Sequence, residues 1–135
     1  MTQTQNVSIA RDLLAALAEG RHPEAVATLF GEDVLFEIPG DIGVLPWIGH
    51  RTGRSAVAHF IASTRAMTEL LTFDVEEVLA SDARAVIVGE LASRIKATDK
   101  VVETAFAIVL TISGDRVIRF QMLEDSFAVS LAARA

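Results

Sequence analysis

The chain has 135 residues, the length of one domain. Apolar residues make up 51% and charged residues 22%, enough to bury a core and too apolar for a disordered chain. The absence of cysteine excludes disulfides, thiolate metal ligands and cysteine nucleophiles, and a net charge of −6 without a Lys/Arg cluster argues against a nucleic-acid surface or a basic membrane-binding face.

The apolar runs stop well short of the roughly 18 residues that a membrane-crossing helix needs. Met1 to Gly20 lacks the basic start, apolar stretch and cleavage site of a secretory signal, so a cytoplasmic protein is expected. There are seven Phe, one Trp and no Tyr, which removes any mechanism that needs a tyrosine hydroxyl.

Asn6 or Ser8 can cap a first helix whose apolar face is Ile9, Leu13, Leu14 and Leu17, with Gly20 at its end. Pro23 suits the first turn of a second helix, lined by Val26, Leu29 and Phe30 and closed at Gly31. Asp33 to Pro39 reads as a strand stopped by proline. Gly40 to Gly53 is a glycine-rich loop with Trp47 at its middle. A third helix starts at Thr52 or Ser55 and carries Val57, Phe60, Ile61, Thr64 and Met67 on one face. Four strands follow, over 70–79, 84–96, 101–112 and 116–125, with turns at Ser81-Asp82, Asp99-Lys100 and Ser113-Gly114-Asp115. Three helices followed by an antiparallel meander predict an α+β fold with helices on one face of the sheet.

A two-residue loop at Asp99-Lys100 places Val101 opposite Thr98, Glu103 opposite Lys96, Ala105 opposite Arg94 and Phe106 opposite Ser93. One face then holds Thr104, Phe106, Ile108, Leu110 and Ile112, with Ile95, Ser93, Leu91, Gly89 and Ile87. The other holds a Lys96–Glu103 pair and, beyond it, Ala105, Ala107, Val109, Val88 and Val86. The helices can cover one side. The second apolar side predicts a homodimer through the back of the sheet.

This order of elements resembles the nuclear transport factor 2-like superfamily, and within it the SnoaL-like and ketosteroid isomerase-like bacterial members. The pieces that carry the resemblance are Phe36-Glu37-Ile38-Pro39, the Pro46-Trp47-Ile48-Gly49 and Gly53-Arg54 stretch, Phe106, and the tail from Gly114 to Val129. It implies a cystatin-like cone, in which a curved, mostly antiparallel sheet and three N-terminal helices enclose an apolar pocket. Members of the superfamily include isomerases, cyclases, dehydratases, epoxide hydrolases and non-catalytic binding domains, so the fold does not settle the function.

The acids that the resemblance implies are missing. Ketosteroid isomerases place a general-base aspartate directly before the proline that ends the first strand, where this chain has Ile38. Their oxyanion is held by a tyrosine and a protonated carboxylic acid, and tyrosine is absent here. The aspartate of polyketide cyclases and epoxide hydrolases on the last strand corresponds to Met122, and Arg94 and Lys96 fall on the outer face.

Two displaced acids remain on the last strand. Glu124 points into the cone if Ile118, Phe120 and Met122 do, whereas one residue of slip at the preceding turn brings in Gln121 and Asp125 instead. A carboxyl in an apolar cone has a raised pKa and can serve as general acid or base. Of the histidines, His22 is placed for a helix cap and His59 for a helix flank, while His50, in the loop expected to roof the mouth, is the candidate for proton transfer. No spacing suits a metal site, and no motif implies a cofactor. Trp47 is either a ligand-stacking lid or a plug of the core.

The expected pocket wall is Phe36, Ile38, Trp47, Phe60, Phe106, Ile108, Phe120 and Met122, enclosing a small lipophilic ligand. The candidate catalytic residues are Glu124, Asp125 and His50. Two functions fit: acid–base isomerase, cyclase or hydrolase chemistry with non-standard acids, or a non-catalytic ligand-binding or accessory domain.

Overall fold

The first helix, α1 (Gln3–Ala18), is started by a reciprocal pair: Gln5 N–H donates to the Thr2 hydroxyl, and Thr2 N–H donates to the Gln5 side chain. The Thr-x-x-Gln spacing is a capping box, so neither Asn6 nor Ser8 is the cap. Asn6 is instead fully buried, and its amide donates to Ser81 O at 2.8 Å, tying the helix to a turn of the sheet. The computed structural model describes residues 2–135.

The second helix is short, α2 (Pro23–Ala27), with His22 as its cap. Phe30 and Gly31, expected to end that helix, open strand β1 (Phe30–Ile38). Part of the glycine-rich loop is also strand: β2 (Gly49–Thr52) pairs antiparallel with β1, with His50 opposite Glu37. The third helix, α3 (Arg54–Met67), begins at Gly53, whose φ of 93° places it where L side chains are strained. Neither Thr52 nor Ser55 is its cap.

Strands β3 (Thr68–Ala80), β4 (Arg84–Ile95), β5 (Lys100–Ser113) and β6 (Arg116–Glu124) form the meander, and a fourth helix, α4 (Ser126–Ala133), closes the chain. The six strands run in the order β2-β1-β6-β5-β4-β3, with β1 and β6 parallel and the other neighbours antiparallel. The expected α+β architecture is observed, with α4 added to the three N-terminal helices.

The β4–β5 hairpin corrects the expected register. Ile95 pairs with Lys100 across a four-residue turn, so Val101 faces Arg94, Val102 faces Ser93, and Glu103 faces Ala92 rather than Lys96. Phe106 faces Gly89, and Ala105 faces Glu90. Because the pairing moves by an even number of residues, every side chain keeps its predicted face. Arg94 stays on the outer face, 3.5 Å from Glu69 and 3.3 Å from Asp99.

The β5–β6 turn is Gly114-Asp115, both with positive φ as a tight hairpin requires. Between Val117 and Arg119 the strand bulges, which turns Ile118 outward at 41% exposure. Val117 and Phe120 both face inward as a result, and Met122 and Glu124 follow in phase with Phe120.

Candidate functional site

The concave face of the sheet, α1 and α3 enclose a cavity of about 590 Å³. Seven of the eight expected wall residues line it: Phe36, Ile38, Trp47, Phe60, Ile108, Phe120 and Met122. Phe106 does not. Its ring stacks on Phe73 at 4.8 Å and covers Gly89, where an added Cβ would meet Asp74 O at 2.0 Å. Leu13, Leu14 and Leu17 of α1, expected simply as a core face, are also cavity wall.

Aromatic rings dominate one part of the wall. Phe36 stacks on Phe120 at 4.6 Å and 7°, and Phe60 packs against Phe36 at 5.2 Å. Trp47 meets Phe60 edge-on at 6.3 Å and is 7% exposed. It therefore packs into the core and lines the cavity at once.

The exposed members of the lining are Ala18, Arg65 and Leu70, which place the mouth between the C-terminal ends of α1 and α3 and the start of β3. The loop carrying His50 was expected there and lies elsewhere. Leu70 is opposite Ser93 and Ser93 opposite Val102, whereas Glu124 is opposite Phe106. Four residues of β5, roughly 13 Å at the strand rise, separate the row at the mouth from the row of the acid.

Glu124 faces the cavity, and no side chain among the described residues pairs with it. Burial alone pushes its carboxyl up from 4.5 to about 7. The inward placement follows from the two-residue turn and the bulge together, neither of which the alternation pattern alone determines.

The other two catalytic candidates do not join it. Asp125 is the cap of α4, accepting from Ala128 N–H at 3.0 Å, and does not line the cavity. His50 lies on the outer side of the sheet with its side chain 70% exposed, and its Nδ1 is 3.9 Å from Glu37. There Glu37 receives Arg119 through both oxygens, at 2.9 and 3.1 Å, and Gln121 at 3.4 Å. The Arg119 hydrogen bond leads in holding the Glu37 carboxyl below its usual range. The sequence does not reveal this outer cluster, because the residues of β2, which supplies His50, read locally as loop. His59 flanks α3, 3.2 Å from Arg51.

A further part of the wall is α4, which runs beside the start of β5 and whose Val129 lines the cavity. It is anchored by Asp41, which accepts from Ser130 and Arg134 at 2.6 Å each, and by Thr98, which donates to Ala132 O at 2.6 Å. The sequence cue for α4 was Asp125 followed by an apolar run.

Among the described residues no group of His, Asp and Glu converges as a metal-ligand set, and no helix is long and apolar enough to cross a membrane.

Comparison with known proteins agrees with this fold. Residues 10–120 match the family model of the SnoaL-like domain. A nuclear transport factor 2-like protein from Burkholderia xenovorans superposes with a TM-score of 0.89 at 25% identity, over 99% of each chain. A candidate SnoaL-like polyketide cyclase from Mesorhizobium loti gives 0.70 at 14% identity, covering 86% of this chain and 96% of its own. A protein of ketosteroid isomerase-like fold from Catenulispora acidiphila, solved in complex with trimethylamine, gives 0.73 at 22% identity, over 93% and 91% of the two chains. Comparison with curated proteins gives no match. The family model spans most of the sequence and the fold agrees along its length: the chain belongs to the SnoaL-like family, within the nuclear transport factor 2-like superfamily.

Proposed function

We propose that this SnoaL-like domain takes up a small lipophilic molecule in its cone and that Glu124 is the acid–base group of the site. The observation that carries this reading is the carboxyl of Glu124, which faces an apolar cavity with no side-chain partner among the described residues, a burial that pushes its pKa up to about 7. An acid poised near the working pH can both give and take a proton, as isomerisation, cyclisation and hydrolysis require. A structural neighbour that holds a small organic molecule, trimethylamine, is in keeping with this reading.

Native mass spectrometry of gently purified protein, followed by denaturation, tests for a bound passenger and names its chemical class. On a substrate of that class, Glu124→Gln is expected to lower turnover by about a hundredfold or more. Unchanged turnover would remove Glu124 from the mechanism.

A second reading, a binding or accessory domain without turnover, is favoured by Ile38 and Met122 at the positions of the family acids and by the absence of tyrosine. A retained passenger that the protein never converts would support it.

The working unit in this proposal is a cytoplasmic homodimer formed through the outer face of the sheet. Val86 there pairs with Val109, and Val88 with Ala107, flanked by exposed Leu79 and Leu123. This apolar patch lies on the side of the sheet away from the cavity. Sedimentation of a monomer at micromolar concentration would contradict the dimer.

A further inference from the structure

We infer that the cavity selects a lipophilic amine, whose ammonium pairs with the Glu124 carboxylate while its hydrocarbon part lies against the aromatic wall. The inference rests on the reading of the cavity as a ligand site and adds the charge of the ligand.

The argument begins with the polar groups that the cavity offers. Four hydroxyls line it, and each has its proton committed to a backbone carbonyl: Thr64 to Phe60, Thr68 to Thr64, Ser93 to Glu69 and Thr104 to Ala105. Arg65 at the mouth donates to Arg21 O. Among the side-chain donors of the lining, the indole N–H of Trp47 has no assigned acceptor. A wall built to hold a carbonyl or an oxyanion needs several convergent donors, and this wall does not supply them.

Its deep polar feature is the Glu124 carboxyl, an acceptor once it is ionised. Arg119 of β6 faces the opposite side of the sheet and is spent on Glu37. A neutral apolar ligand would strip water from the Glu124 carboxylate and return nothing, and a buried unpaired charge is costly. A ketone could take the Trp47 N–H and still leave that charge uncompensated. An ammonium compensates it directly, in surroundings of low dielectric where the attraction is strong. The aromatic cluster of Phe36, Phe60 and Phe120 gives the alkyl or aryl part of such a ligand an apolar wall to lie against. The net charge of −6 favours the approach of a cation over that of an anion.

N,N-dimethylbenzylamine and isobutylbenzene have the same skeleton and differ by a basic nitrogen in place of a CH group. Titrating each into the protein at mildly alkaline pH, with the fluorescence of the sole tryptophan, Trp47, as the readout, separates charge from shape. The amine is expected to bind at least about tenfold more tightly than the hydrocarbon in the wild type. In Glu124→Gln, checked for folding by circular dichroism, the order should reverse. A hydrocarbon that binds as well as the amine overturns the inference while leaving the lipophilic pocket standing. So does an amine preference that survives in Glu124→Gln. If neither compound binds, the pocket reading falls and the inference with it.

Discussion

Arg119 of β6 grips Glu37 of β1 through both carboxylate oxygens, at 2.9 and 3.1 Å, across the parallel strand pair of the sheet. Three positions beyond Gln121 on the same strand, Glu124 points to the other side of the sheet and has no such partner. One strand therefore separates a satisfied acid outside from an unsatisfied one inside. The two respond to pH in opposite senses.

For Glu37 the folded-state pKa lies below its ordinary 4.5, chiefly through the Arg119 hydrogen bond. Its stabilising contribution is present above that value and lost as the pH falls through the lowered one. Glu37→Gln should cost a few degrees of Tm at neutral pH and little at strongly acid pH, without changing ligand binding. Thermal melts across the acid range check this.

For Glu124 the folded-state pKa is raised from 4.5 to about 7. Stability is full below pH 4.5, declines above it because the unfolded chain ionises this carboxyl while the folded one keeps its proton, and levels off above about 7, where the folded carboxyl ionises too. The rise corresponds to roughly 3 kcal/mol at most, since water entering the cavity reduces it. Glu124→Gln should thus be more stable than the wild type at pH 8, by roughly 1–3 kcal/mol, and no more stable near pH 4. Urea unfolding at the two pH values decides.

Gly89 is the site where the sheet tolerates no side chain. A Cβ there would lie 2.0 Å from Asp74 O and 3.0 Å from the ring of Phe106. Gly89→Ala must push β3 away or break the Phe73–Phe106 stack, so a loss of roughly 3 kcal/mol or more is expected. A loss below about 1 kcal/mol would mean that the two strands can part without penalty there.

The proposed dimer has its own test. Val88 lies on the outer face between Glu77 and Ala107, in the middle of the apolar patch. Val88→Asp should give a folded monomer by sedimentation, with its secondary structure intact by circular dichroism. A dimer that persists would move the interface elsewhere.

Asp41 holds α4 against the loop after β1 through Ser130 and Arg134, and α4 is one wall of the cavity. Asp41→Ala should speed hydrogen exchange of the α4 amides selectively. Exchange unchanged in α4 would show that Thr98 and the packing of Val129 suffice.

The faces of β4 and β5 were legible because strand alternation survives an even shift of register, even though the Asp99-Lys100 turn was misplaced. Phe36 takes its side from alternation, whereas Phe120 and Met122 are expected inward from the family resemblance and owe that side to the bulge at Ile118. What escaped were elements defined by long-range pairing. Gly49–Thr52 is a strand because Glu37 and its neighbours offer it an edge, not because of its own composition. His50 was therefore assigned to a mouth that lies elsewhere. Asp125 is separated from Glu124 by a change of secondary structure, so only the folded chain distinguishes a cap from a cavity acid. The Thr2–Gln5 capping box, by contrast, is fully visible in the sequence, with Asn6 and Ser8 as competing polar residues in the first two turns.

The most direct test of the site is a carbon-13 NMR titration of the Glu124 side-chain carboxyl, assigned by comparison with Glu124→Gln. A cavity acid without a partner should titrate at about 7 and move downward when N,N-dimethylbenzylamine is bound. A midpoint near 4.5, unaffected by the amine, would mean that the carboxyl stands in water and that Glu124 is not the acid of an apolar site.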